Sequence, residues 1–128
     1  MNIEAYREYC LSKPGATESV PFPKLPDVLV FKVAGQMFSA TDMSTFESIS
    51  IKHYPEKIED LKAEYPSVID PAYFSKKHWC FVLMDGMTPD DLIREWLDIS
   101  YELVVAVLPS PFSADLLRPV RTKCPAIL

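Results

Sequence analysis

Residues 71–86 of the chain are PAYFSKKHWCFVLMDG, and they join a cationic cluster directly to an apolar segment. The cluster, residues 76–78, stands immediately before Trp79. Residues 79–84 are almost entirely apolar, so we expect a strand that lies centrally in a sheet or is buried on both faces. The Asp-Gly pair that follows favours a turn. This stretch therefore places a candidate binding surface next to the core.

Three further segments with strand-like composition lie upstream. Residues 28–33 are rich in β-branched and apolar side chains, residues 36–41 follow the turn-forming pair Ala34-Gly35, and residues 47–52 alternate polar and apolar. Strands joined by such short connections pair as an antiparallel meander. Together with residues 79–84, they predict an antiparallel sheet of four or more strands.

Three helices are predicted around these strands. Asn2 caps the first and Pro14 stops it, Pro55 opens the second and Pro66 ends it, and Thr88 caps the third, which runs to about Leu108. Each helix carries one apolar stripe and must pack against a larger surface. The fold class predicted is α+β, a two-layer sandwich with the helices on one face of the sheet.

The length of 128 residues indicates about one domain. We expect a single domain over residues 1–109 and an extended C-terminal tail over residues 110–128, where prolines recur without an apolar period. Residues 18–27 hold three prolines and predict an irregular connector, with Phe22 filling the core.

Composition limits the classes of protein to consider. The net charge of −5 means that any basic surface is a local patch on an acidic protein. The absence of a leader and of an apolar run of about 18 residues predicts a cytoplasmic protein without membrane contact. Three widely spaced cysteines and two histidines predict buried or free thiols and no structural metal.

The motifs that carry catalysis are missing from the sequence. There is no GxSxG, no HExxH and no glycine-rich phosphate loop, and the acidic pairs Glu59-Asp60 and Asp90-Asp91 fall in first turns of helices. Only His53 and His78 could act as bases near neutral pH. We expect no enzyme, no catalytic residue and no cofactor.

The cationic cluster is a stronger candidate for function. Lys76, Lys77 and His78 precede Trp79, and Lys52 and His53 end an earlier strand with similar chemistry. Lysines neutralise phosphates, and an aromatic ring can stack on a base. The alternative is a solvated strand entrance whose lysines protect a sheet edge.

Several segments, in this order and spacing, resemble the MmcQ/YjbR family of small bacterial proteins with a CyaY-like fold. They are Glu18 with Pro21-Phe22, the hairpin 30–38, Ile51-Lys52 with Pro55-Glu56, Lys76-Lys77-His78-Trp79, and residues 100–104, within about residues 1–109. The resemblance implies a non-enzymatic DNA-binding protein with a "double wing" of β-elements. By position, it assigns DNA contact to Lys52, Lys76, Lys77 and His78.

Two other hypotheses for function fit the same sequence. A protein-interaction or small-ligand-binding module would use the acidic face of the third helix or the tail after residue 109. A metal carrier is a further alternative, because Glu95, Asp98 and Glu102 share one helix face.

Overall fold

The computed structural model describes residues 1–72 and 74–107, and the tail predicted at residues 110–128 lies outside them. The strands form a single six-stranded sheet in the order β1-β2-β3-β4-β6-β5, and every neighbouring pair is antiparallel. In chain order they are β1 (Ala16–Ser19), β2 (Val28–Val33), β3 (Gln36–Asp42), β4 (Ser48–Lys52), β5 (Val68–Ile69) and β6 (Trp79–Leu83).

Three helices accompany the sheet within the described residues: α1 (Ile3–Leu11), α2 (Pro55–Glu64) and α3 (Asp90–Ala106). The Asn2 side chain accepts a hydrogen bond from the Ala5 N–H at 2.8 Å, so the predicted cap of α1 is confirmed. Pro55 occupies the first turn of α2, also as predicted.

All three helices cover the same face of the sheet. Tyr6 of α1, Ile58 of α2 and Trp96 of α3 join one buried cluster with strand residues such as Phe31 and Ile51. Because side chains alternate along a strand, the intervening residues of the strands point to the other face. The predicted α+β sandwich is thus confirmed. No helix of the described part of the chain covers the other face, which we call the helix-free face.

The meander was predicted almost to the residue. The turn between β2 and β3 places Ala34 and Gly35 at φ values of 49° and 80°, the left-handed pair that matches the twist of a hairpin. Two short strands were missed. β1 lies inside a proline-rich region, and β5 is only two residues long, so neither shows a period.

Two local predictions were wrong. Thr88 is not the cap of α3: the N-cap is Pro89, without a side-chain hydrogen bond, and Thr88 is buried. Phe22 does not fill the core, since it is 47% exposed and lines the helix-free face. Its connector crosses that face because the helices already fill the other one.

Candidate nucleic-acid interface

The candidate residues of β4 and β6 lie on the helix-free face. Lys52 is the cross-strand partner of Trp79, and Ser50 is the partner of Phe81. Their neighbour Ile51 is fully buried in the core on the opposite face. Lys52 and Trp79 are therefore adjacent side chains on one surface, although 26 positions separate them in the sequence.

The pairing continues past the strand ends. The His53 N–H donates to the His78 carbonyl at 3.0 Å, which fixes residue 53 beside residue 78. The end of β4 and the start of β6 therefore meet at one corner of the sheet. The structure brings Lys52 together with the cationic segment 76–78, a juxtaposition that the sequence leaves open.

A tight turn presents the cationic segment. The N–H groups of His78 and Trp79 donate to the Ser75 carbonyl at 3.3 and 2.9 Å, so residues 76–78 loop outward before β6 begins. Lys76, Lys77 and His78 are all exposed, and Lys52 is half-buried. All the predicted site residues are thus accessible.

Lys76 is only weakly engaged by its nearest acid. Its Nζ lies 3.9 Å from Asp70 Oδ2, and its side chain is 72% exposed. Lys62 holds Asp70 more closely, at 2.7 Å, and this hydrogen bond is the main cause of the lowered pKa of Asp70. An exposed ion pair at 3.9 Å contributes little, so Lys76 remains available for another anion.

Aromatic rings line the face next to the cations. Phe74 packs edge-on against Trp79 and Phe81, with ring centroids 5.2 and 5.6 Å apart. Trp79 and Phe81 are half-buried and not part of the core. The sequence analysis did not identify Phe74 or Phe81 as part of the site. Phe81 could have been found, because side chains alternate along a strand and residues 79 and 81 of β6 therefore share one face.

His53 does not add charge to this corner, contrary to the sequence-based interpretation. It is 6% exposed, and burial is the main reason why its pKa is lowered. Its Nδ1 accepts a hydrogen bond from the Tyr54 N–H at 2.8 Å, which requires the unprotonated nitrogen. His53 is a neutral structural residue beside the cations.

The acidic face of α3 is divided into different environments. Glu95 and Glu102 are exposed, but Asp98 accepts hydrogen bonds from Tyr9 Oη at 2.6 Å and from Lys13 Nζ. In the part of the chain that the structure describes, no three acidic, histidine or cysteine side chains are grouped to hold a metal ion. Asp98 therefore acts as a link between α1 and α3.

Cys10 and Cys80 are buried free thiols, as predicted, and Cys124 lies outside the described residues. Burial raises the pKa of the Cys80 thiol to about 12, and it raises that of Cys10 as well. Both thiols are protonated at neutral pH and do not act as nucleophiles. Among residues 1–72 and 74–107, no helix combines the length and apolar character that a membrane span needs.

Comparison with known proteins assigns the family. The profile of the YjbR family matches residues 11–103. The chain belongs to the YjbR family. It is 32% identical to Escherichia coli K12 YjbR over 115 residues, which cover 85% of this chain and 92% of that protein. It is also 29% identical to YbdF of Escherichia coli O157:H7 over 92 residues, covering 67% and 75% of the two chains.

Solved structures agree with this assignment. The Deinococcus radiodurans protein DR2400, described as a DUF419 domain, superposes with a TM-score of 0.83 at 31% identity, covering 90% of this chain and 87% of that one. A Pseudomonas syringae protein shares the fold with a TM-score of 0.69 at 22% identity, covering 80% and 98%. Both solved structures support the fold independently of the helix and strand patterns.

Proposed function

We propose that this YjbR-family protein is a non-enzymatic DNA-binding protein that contacts phosphates through Lys52, Lys76, Lys77 and His78. The observation that carries the proposal is the pairing of Lys52 with Trp79, which gathers cations from separate segments at one corner of the helix-free face. Lysines at such a corner neutralise successive phosphates, and the neighbouring rings offer a surface for sugars or bases.

The contacts proposed are to the backbone of the nucleic acid, so sequence preference is weak. Lys76 and Lys77 are flexible point charges on an exposed turn, and neither they nor Lys52 is a rigid donor fork that could read a base edge. The overall charge of −5 opposes binding at a distance. Affinity therefore depends on the local patch and falls as salt screens it.

Fluorescence anisotropy of a labelled DNA duplex tests the proposal. For wild type, the logarithm of the affinity should fall with the logarithm of salt concentration at a slope of about −3, as expected for three lysines. Lys76→Glu/Lys77→Glu should abolish binding at moderate salt. An affinity that does not depend on salt concentration, or that is the same in the double variant as in wild type, would overturn the proposal.

A matched charge control is available on the helix-covered face. Arg7 of α1 pairs with Glu18, and Arg94 of α3 pairs with Asp91 at 2.7 Å. Arg7→Glu/Arg94→Glu changes the net charge by the same amount as the lysine double variant. It should retain most of the DNA binding, because these arginines lie away from the corner. Equal loss in both double variants would mean that total charge, and not the corner, governs binding.

A further inference from the structure

A pocket of about 610 Å³ opens on the helix-free face, beside the cationic corner. Its wall is largely apolar and includes Val30, Ala40 and Phe81 of the sheet, with Phe22 and Phe74 from the loops. This volume lies within the range of pockets that hold small organic ligands.

The pocket has a closed floor and an open rim. Val30 and Ala40, which are cross-strand partners on β2 and β3, are 1% and 7% exposed and form part of the floor. At the rim, Phe22 and Leu25 of the connector are 47% and 53% exposed. A rim of exposed large apolar side chains above a buried floor favours a ligand with an apolar body.

Ser50 differs from the other hydroxyl residues that line the pocket, Thr41, Thr45 and Ser48, because its hydroxyl is buried without a partner. We refer to this hydroxyl as the polar handle. Ser50 is 3% exposed and lines the pocket, yet its Oγ has no hydrogen-bond partner among the described residues. The other buried serines have partners: Ser39 Oγ donates to the Ser50 carbonyl at 2.7 Å, Ser67 Oγ donates to Asp85 Oδ1 at 2.8 Å, and Ser100 Oγ donates to the Phe38 carbonyl at 2.5 Å. A buried hydroxyl without a partner is unfavourable, and a ligand group that bonds it removes that penalty.

The charges at the pocket are negative. Asp42 and Glu47 line one end, and hydrogen bonds from Ser44 lower the pKa of Asp42, which keeps it ionised at neutral pH. No lysine or arginine in the described part of the chain lines the pocket. An anionic ligand would therefore meet like charge, whereas an uncharged one would not.

We propose that this pocket binds a small, uncharged aromatic molecule whose one hydrogen-bonding group engages Ser50 Oγ. The apolar wall holds the ring system, the Ser50 hydroxyl orients it, and the acidic end excludes anions. This site goes beyond the proposed DNA contact, because none of the four cations assigned to DNA lines the pocket.

N-phenyl-1-naphthylamine is a suitable probe, because it is aromatic and uncharged, carries one N–H group and becomes fluorescent when it leaves water. With the full chain, we expect saturable, blue-shifted fluorescence. Its relative 8-anilinonaphthalene-1-sulfonate has a similar apolar body and a negative charge, and should bind at least about tenfold more weakly. Equal or tighter binding of the sulfonate would overturn the proposal.

Ser50→Ala tests the polar handle. It should weaken binding of the amine about three- to tenfold, the loss expected for one hydrogen bond. Since the hydroxyl has no hydrogen-bond partner within residues 1–72 and 74–107, the variant should melt at or above the wild-type temperature. Unchanged affinity in Ser50→Ala would overturn the assignment of the handle.

Phe22→Ser tests the rim without touching the core, and Val20→Ser is its control, because Val20 is 44% exposed and does not line the pocket. Phe22→Ser should weaken binding and Val20→Ser should not.

Lys76→Glu/Lys77→Glu should keep probe binding, so that failure of the pocket and failure of DNA binding are separable. A dimer that Phe22→Ser dissociates would mean that a second copy covers the pocket, and would overturn the proposal.

Discussion

The Lys52 N–H donates to Ser100 Oγ at 2.8 Å, so a hydroxyl on α3 holds the strand end that carries a candidate DNA-contacting lysine. The same hydroxyl donates to the Phe38 carbonyl in β3. Phe38 sits where the register between β2 and β3 shifts, so its carbonyl needs a partner outside that ladder. Ser100 thus ties α3 to β3 and β4 at the edge of the proposed interface.

Ser100→Ala should destabilise the protein by about 2 kcal/mol, because it leaves a buried carbonyl and an N–H without their partner. Urea unfolding followed by tryptophan fluorescence measures the change. Ser44→Ala is the control: the Ser44 hydroxyl bonds exposed Asp42, and its loss should change the free energy of unfolding by less than about 0.5 kcal/mol. Equal effects in the two variants would contradict the role of Ser100 as a tie.

The two tryptophans should respond differently to truncation. Trp96 is 3% exposed and packs edge-on against Tyr65 with centroids 5.1 Å apart, so Trp96→Ala should destabilise by about 3–5 kcal/mol. Trp79 is half-buried on the helix-free face, so Trp79→Ala should cost less than about 2 kcal/mol. Thermal melting of both variants checks this order.

Trp79→Ala has a second expected effect, on DNA. If the ring packs against a sugar or base, the variant should bind the duplex more weakly while it stays folded. If a folded Trp79→Ala protein bound DNA as tightly as wild type, the Trp79 ring would not contact DNA, and the proposed interface would consist of the cations without it.

The meander and the helices could be predicted because their signals are local. Residues 28–52 show β-branched content and a turn pair, and each helix has a cap or a proline at its start. β1 and β5 could not be predicted, because four and two residues carry no period and form strands only where a neighbouring strand offers its backbone. Phe22 was misplaced because an apolar residue in a connector can cover either face of a sheet.

The candidate site, like the fold, could be predicted only where its signal is local in the sequence. The cations at residues 76–78 are visible in the sequence, but their proximity to Lys52 depends on the pairing of β4 with β6, a contact between distant segments. Whether His53 is charged also depends on tertiary burial, which the sequence does not report. The apolar pocket draws on several strands and two loops, so no single motif could reveal it.

Replacing Asp98 should destabilise the protein, whereas replacing the exposed Glu102 on the same helix should not. Asp98→Ala leaves Tyr9 Oη and Lys13 Nζ without their acceptor, and Lys13 is only 11% exposed at its side chain. We expect a loss of about 1–3 kcal/mol. Asp98→Asn should recover part of it, because an amide oxygen still accepts from Tyr9. Glu102→Ala, at an exposed position, is the control and should be neutral; a matching loss there would contradict the link between α1 and α3.

His53 should make the protein less stable as pH falls from about 7 to 5.5. Burial lowers the pKa of the folded-state imidazole, helped by Lys57, while Glu56 and Glu95 oppose the shift. In the unfolded chain the imidazole titrates near its ordinary pKa of about 6.5. Below that pH the unfolded state binds more protons than the folded state, so the free energy of unfolding decreases with falling pH.

Melting temperatures measured between pH 8 and 5 test whether His53 causes this pH dependence of stability. His53→Asn places an amide oxygen where Nδ1 accepts from the Tyr54 N–H, so it keeps the hydrogen bond without the titration. The variant should melt at a nearly constant temperature from pH 7 to 5.5, where wild type declines. Acidic groups whose pKa is lowered in the folded state, such as Asp85, change the stability mainly below about pH 4, which is outside the range from pH 7 to 5.5. A parallel decline in both proteins would assign the pH dependence to another group.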